Sequence, residues 1–354
     1  MLWGTVVIAG CGLFQTSQNE AYDDAEFAVD PDVTSAPQAP IDAHRFILAE
    51  NQDVVGRIQT IESRYEDTFV EFARAYGLGF DELVAANPGV DPWLPGEGTR
   101  IILPTRFVLP VAPRKGVVLN IAAKRLFFYP EAIEGQPRVV ETFPIGIGRQ
   151  GWATPTGPTT IVSKAVDPVW FVPRSVREEH LAAGDPLPKQ VPPGPDNPLG
   201  NRVIGLDIPG YLIHGTNKPA GVGMRVSHGC VRLYPEDIEY FYEQVAIGMP
   251  VRLVNQPYLF GWEDDVLYLE SHEPLNEDVR NWSEALVPMA RSRLVGQDDR
   301  RMRIDENKID QVAREHRGYP VPVTGGRRSA AVANRNVLSV INVLPQPSVD
   351  KVAD

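Results

Sequence analysis

Cysteine is nearly absent from this chain: 354 residues contain two, Cys11 and Cys230. They lie in unrelated contexts, so no disulfide framework is expected. Long apolar runs are missing too. None reaches the eighteen or so residues that a membrane-crossing helix needs, so nothing after the N-terminus is expected to span a bilayer. Positive charge is scarce, with 34 Lys and Arg against 46 Asp and Glu and a net charge of −12. A nucleic-acid binder carries a basic patch or stripe, and that class of partner is set aside. The deficit is sharpest over residues 12–42, where no Lys or Arg occurs while Glu20, Asp23, Asp24, Glu26, Asp30 and Asp32 recur. Such a segment buries too little surface to fold, and residues 12–43 are expected to form a solvated tether. Apolar residues nevertheless make up 43% of the chain, and its length suggests two or three domains.

The stretch from Tyr211 to Tyr234 concentrates the reactive side chains: His214, His228 and Cys230. A thiol attacks carbon as the thiolate, so a catalytic cysteine needs an imidazole to take its proton or to hold the charge. The apolar run ending at His214, the glycine-bearing loop with Gly215, Gly221 and Gly223, and the extended run from Ser227 predict a folded-back strand pair. That pair would set His214 opposite Cys230. Gly229 lets the backbone approach a substrate, and amides around Gly229 and Cys230 are candidates to face a developing oxyanion. Two other readings stay open. His214, His228 and Cys230 offer three N/S ligands, enough for a catalytic zinc. An unpaired cysteine is also commonly a small buried hydrophobe.

His214, followed sixteen positions later by Cys230 within Ser227-His228-Gly229-Cys230-Val231-Arg232, resembles the signature of the bacterial L,D-transpeptidases. The resemblance implies Cys230 as nucleophile, His214 as general base and the Gly215 carbonyl as the group that orients the imidazole. It implies that His228 and Gly229 shape the acyl site, and that Ser227, Arg225 and Arg232 serve the loop or a substrate carboxylate. No cofactor and no metal are implied. The substrate would be peptidoglycan: the thiolate would attack the amide between an L- and a D-centre of a stem peptide. The acyl group would then pass to a stem diamino acid, to a lysine of an outer-membrane lipoprotein, or to water. A wall-binding protein with an inert catalytic domain is the rival from another class.

Residues 1–11 end in Ile8-Ala9-Gly10-Cys11 and resemble the tail of a bacterial lipoprotein signal. That implies export, lipidation of Cys11 and a periplasmic enzyme anchored to the outer membrane. Residues 44–105 predict a strand-helix-helix-strand unit. Phe69, Phe72, Ala73 and Tyr76 recur at helical spacing before Gly77, and a second helix runs from Asp81 to a stop at Asn87-Pro88-Gly89. The unit resembles a lysin-motif (LysM) module that binds glycan strands.

The catalytic domain is expected over residues 115–255 as a mainly β, mixed sandwich with one or more helices, beside the small α/β module. Gly146, Gly148 and Gly151 with the ThrProThrGly run mark loops open to a ligand or ordinary turns. The proline-rich insertion at residues 167–202 is too long for a plain connection and is read as a substrate cap, ending in Asn197-Pro198-Leu199-Gly200. Pro235 opens a helix with Glu236 and Asp237 in its first turn. Beyond it, residues 256–316 form an extension with a strand at 266–270 and helices over 276–294 and 307–316, and residues 317–354 a loose tail. His272 is expected at the surface.

Overall fold

The computed structural model describes residues 37–152, 154–295, 303–324 and 337–345. Its first elements are β1 (Arg45–Ile47), β2 (Val54–Gly56), β3 (Ile58–Glu62), α1 (Phe69–Ala75), α2 (Phe80–Ala86), β4 (Arg100–Leu103) and β5 (Arg106–Val108). Helix α1 starts at Thr68, whose hydroxyl accepts from the Glu71 amide while the Glu71 carboxylate reaches back to the Thr68 amide. Helix α2 ends at Asn87, whose side chain binds the Leu83 and Ile102 carbonyls and accepts from the Ile102 amide. The cap thereby ties the helix to β4, which pairs antiparallel with β3.

The next stretch contains β6 (Gly116–Asn120), β7 (Arg125–Tyr129), β8 (Val139–Pro144), β9 (Ile147–Gly148), β10 (Gly157–Val166), β11 (Trp170–Phe171), α3 (Arg174–Ala182) and β12 (Gln190–Val191). Then come β13 (Arg202–Leu206), β14 (Leu212–His214), β15 (Arg225–Ser227), β16 (Val231–Arg232), α4 (Pro235–Gln244) and β17 (Pro250–Val254). One sheet of nine strands has the order β1-β8-β7-β6-β17-β10-β13-β14-β16. Period-two alternation gives it two apolar faces. Val117, Leu119, Leu126, Phe128, Ile213 and Val231 pack with Ile238 and Phe241 of α4. Val118, Phe127, Tyr129 and Val140 pack instead with Phe69, Phe72 and Leu83 of α1 and α2.

The C-terminal elements are β18 (Tyr258–Glu263), β19 (Val266–Ser271), α5 (Trp282–Arg293), α6 (Glu306–Glu315), β20 (Val321–Pro322) and β21 (Val337–Ser339). Strands β18, β19 and β20 form a sheet covered by the two helices, with Leu267, Leu286, Ile309 and Val312 inside.

Several expectations need correction. The small unit does not stand apart: its helices share a core with the main sheet, and β1 pairs with β8 inside that sheet. Residues 37–43, assigned to the tether, are engaged, since Gln38 bridges Val340, the Ile41 amide donates to Gln59 and Ala43 is buried. The tail is not wholly loose, because β20 extends the C-terminal sheet and β21 pairs parallel with β3. The helix expected from residue 276 begins at Trp282. His272 is buried, with Nε2 2.7 Å from a Glu270 carboxylate oxygen. The expectations for residues 1–36, Cys11 included, lie outside the described residues.

Candidate active site

Strands β14 and β16 run parallel, with Ile213 opposite Val231 and His214 opposite Arg232. This differs from the folded-back pair expected. The intervening chain crosses over through a 3-10 turn at Pro219–Gly221 and through β15, which pairs with β9. Ile213 and Val231 enter the core, so alternation turns Leu212, His214, Cys230 and Arg232 to the opposite face. All four line one cleft of about 1130 Å³. In this register Arg232 stands opposite His214 and Cys230, just before β16, falls level with Leu212, so the thiol and the imidazole are diagonal to one another on that face.

The His214 Nδ1–H donates to the Gly215 carbonyl at 2.6 Å, and the Leu199 carbonyl is a second backbone acceptor at the ring. Nε2 is then the lone-pair nitrogen, the tautomer a general base requires. Burial, and secondly the Arg232 charge, lower the His214 pKa to about 3. The Cys230 thiol donates to the Gly210 carbonyl at 3.5 Å. Burial pushes its pKa up, partly offset by the Leu212 backbone and the Arg232 charge. Burial thus favours the uncharged form of both groups, without a standing ion pair.

The nucleophile loop is fixed by its own hydroxyl. Ser227 Oγ donates to the Cys230 carbonyl at 2.5 Å and accepts from the Gly229 amide at 3.2 Å. The expectation that the Gly229 amide faces an oxyanion is corrected here, because it points at Ser227. Gly229 itself has φ of 104°, and a β-carbon there would meet the Tyr211 ring at 3.3 Å. Arg225 does not reach the cleft either: it pairs with Glu277 at 2.7 Å and leans on the Gly148 carbonyl. Arg232 does line the cleft, and its buried Nε has no hydrogen-bond partner among the described residues. His228 Nε2 lies 3.2 Å from Arg149 Nη2 and 3.4 Å from Glu179, with Trp152 edge-on at 5.0 Å. His214, His228 and Cys230 do not converge as ligands: among the described residues no three His, Cys, Asp or Glu side chains are placed to share a metal ion.

Residues 167–202 fold over the cleft as a β11–β12 ribbon and α3, with Trp170, Phe171 and Val176 among its lining side chains. Fully buried Asn197 closes this segment. Its amide donates to the carbonyls of Pro168 at 2.7 Å and Pro192 at 3.1 Å, while its oxygen accepts from the Leu199 amide at 2.9 Å. Sequence reasoning marked the AsnProLeuGly run without giving Asn197 this role. It also missed Arg149, which pairs with Glu179 of α3, and Thr154, which donates to the Gly229 carbonyl at 3.0 Å. Thr154 opens the ThrProThrGly run, and that run was its only visible signal.

The family model of the L,D-transpeptidase catalytic domain (YkuD) matches residues 114–253. The probable L,D-transpeptidase ErfK/SrfK of Salmonella typhimurium is 36% identical over 288 residues, covering 78% of this chain and 90% of the relative. The chain belongs to the L,D-transpeptidase family. The probable L,D-transpeptidase YbiS of Escherichia coli is likewise 36% identical over 289 residues, 80% of this chain and 90% of that one. The E. coli ErfK/SrfK is 38% identical over 265 residues, with 73% and 82% covered. The protein is thus a cysteine-dependent acyltransferase of peptidoglycan stem peptides, and Cys230 is the free cysteine among the described residues of this L,D-transpeptidase. No helix among the described residues is long and apolar enough to cross a membrane.

Proposed function

We propose that Cys230 is the acylated residue and His214 its general base, and that the enzyme joins stem peptides by L,D crosslinks. The observation that supports this reading is that both side chains line one cleft, His214 at the end of β14 and Cys230 immediately before its parallel neighbour β16, with Nδ1 held by Gly215. Sγ leaves the Gly210 carbonyl and attacks the carbonyl carbon of the L-centre as its proton passes to His214 Nε2. The tetrahedral intermediate collapses to a thioester, and the departing D-residue amine takes that proton. An acceptor amine then attacks the thioester, His214 removes its extra proton, and the thiolate leaves and is reprotonated. Arg232, beside the imidazole with an unpartnered buried Nε, suits a carbonyl or carboxylate of the donor stem. A stem diamino acid is the acceptor proposed here, entering the cleft of about 1130 Å³ beside the acylated Cys230.

The folded segment over the cleft acts as the substrate cap in this reading. Exposed Tyr65, Trp93 and Leu94 on the α1–α2 unit suit contact with glycan strands. Cys11 is the proposed lipid attachment point, on its Ile-Ala-Gly-Cys context, and would anchor the enzyme to the outer membrane. The deciding experiment incubates purified enzyme with peptidoglycan sacculi and resolves the released muropeptides. Crosslinks between two stem diamino acids are expected. Stems joined to a lipoprotein lysine, or only trimmed stems, would replace this acceptor by protein or by water.

A further inference from the structure

The loop between His214 and Cys230 has two sides. Ala220, Gly221, Met224 and Val226 line the cleft, whereas buried Val222 and Gly223 face away from it. Behind them lies the start of α2. A β-carbon on Gly79 would fall 2.6 Å from Gly223 Cα, and one on Gly223 would fall 2.2 Å from Gly79 Cα. The Phe80 amide donates to the Val222 carbonyl at 3.3 Å. Two bare backbones therefore touch where no side chain fits between them. Gly223 has φ of +84°, which by itself favours glycine. Gly79 has φ of −90°, open to any residue, so contact with the loop is what its missing side chain permits.

Gly79 is itself anchored to the main sheet. Its amide donates to Glu82 at 2.6 Å, and the same carboxylate is clamped by buried Arg125 of β7 at 2.8 and 2.7 Å. On the far side of the nucleophile, the Tyr234 hydroxyl donates to the Leu78 carbonyl at 3.1 Å, and Arg74 grips Glu236 of α4 at 2.8 and 2.9 Å. We infer that the α1–α2 unit is a positioning element of the active site: by backing Gly223 with Gly79, it sets the height of the loop that delivers Cys230 to His214. This rests on Cys230 being the acylated residue. A displacement of about 1 Å at a reacting atom costs up to about a hundredfold in rate, so the apposition is coupled to catalysis at a distance.

Gly79→Ala introduces the clash without backbone strain. The full-length variant is compared with wild type in acylation by a carbapenem, with the adduct mapped by mass, and in the pH profile of Cys230 alkylation by iodoacetamide. The expected result is acylation slowed at least about tenfold and a displaced alkylation profile, with circular dichroism unchanged. Wild-type rates and profile in a folded variant overturn the inference, as does a loss that only tracks the unfolded fraction. If Gly79→Ala does not fold, Tyr234→Phe replaces it. That variant loses only the hydroxyl on Leu78 and must also slow acylation and shift the profile; wild-type values there overturn the inference equally. Failure of wild type to be acylated at Cys230 would instead refute the assignment of the nucleophile.

Discussion

Burial acts on Cys230 and His214 in opposite directions but to one end, since the thiol pKa rises and the imidazole pKa falls to about 3. The imidazole is then the free base throughout the neutral range, and the thiol keeps its proton until attack. Acylation by a carbapenem should accordingly be flat between about pH 5 and 8, without an inflection near the ordinary imidazole value of about 6.5. Stopped-flow acylation across that range checks this, and a clear limb near 6.5 would mean an imidazole that titrates at its ordinary value. At this scale the sequence was informative where chemistry follows residue type: a histidine, a thiol and a motif of fixed spacing. It was silent on which of several available partners, near or remote in sequence, a group takes. Glu277 captures Arg225, Ser227 captures the Gly229 amide, and Glu270 holds the buried His272.

Secondary elements were legible through periodicity. The α1 stripe and strand β19 follow from patterns of 3.6 and 2, and α4 from its opening proline and acids. Pairing was less so, because a parallel neighbour and a hairpin neighbour read alike along one strand, and β14–β16 was expected as the wrong one. The cap segment was recognisable by its length and prolines, but its closure was hidden in one amide side chain. Asn197 binds both ends of the cap and the Leu199 amide, while the Leu199 carbonyl faces His214. Asn197→Ala leaves several buried backbone groups unpaired, at about 1–3 kcal/mol each. Its expected signature is a lower unfolding midpoint with acylation slowed at least about tenfold. Wild-type acylation would show that the cap does not position the base.

At the scale of the whole molecule, three apolar clusters join what the sequence suggested were separate parts, and the main sheet is shared between α4 on one side and α1 and α2 on the other. Charge is buried in this construction. Asp237, in the first turn of α4, has an unpartnered buried oxygen, and burial raises its pKa to about 7, with Glu236 adding to the effect. Its folded value exceeds its unfolded one, so its contribution is full below the ordinary carboxylate range and is lost as pH rises through about 7. Asp237→Asn should gain on wild type by about 2 kcal/mol between pH 5 and pH 8. Urea unfolding at the two values tests this, and an equal difference at both would contradict it. The most direct test of the central claim is the intact mass of the protein after exposure to a stem tetrapeptide donor, followed by mapping of the adduct. The account predicts a mass gain equal to the acyl group on the peptide containing Cys230, none in Cys230→Ala, and formation slowed at least about a hundredfold in His214→Ala at neutral pH. An adduct on another residue, or full-rate acylation without His214, would contradict it.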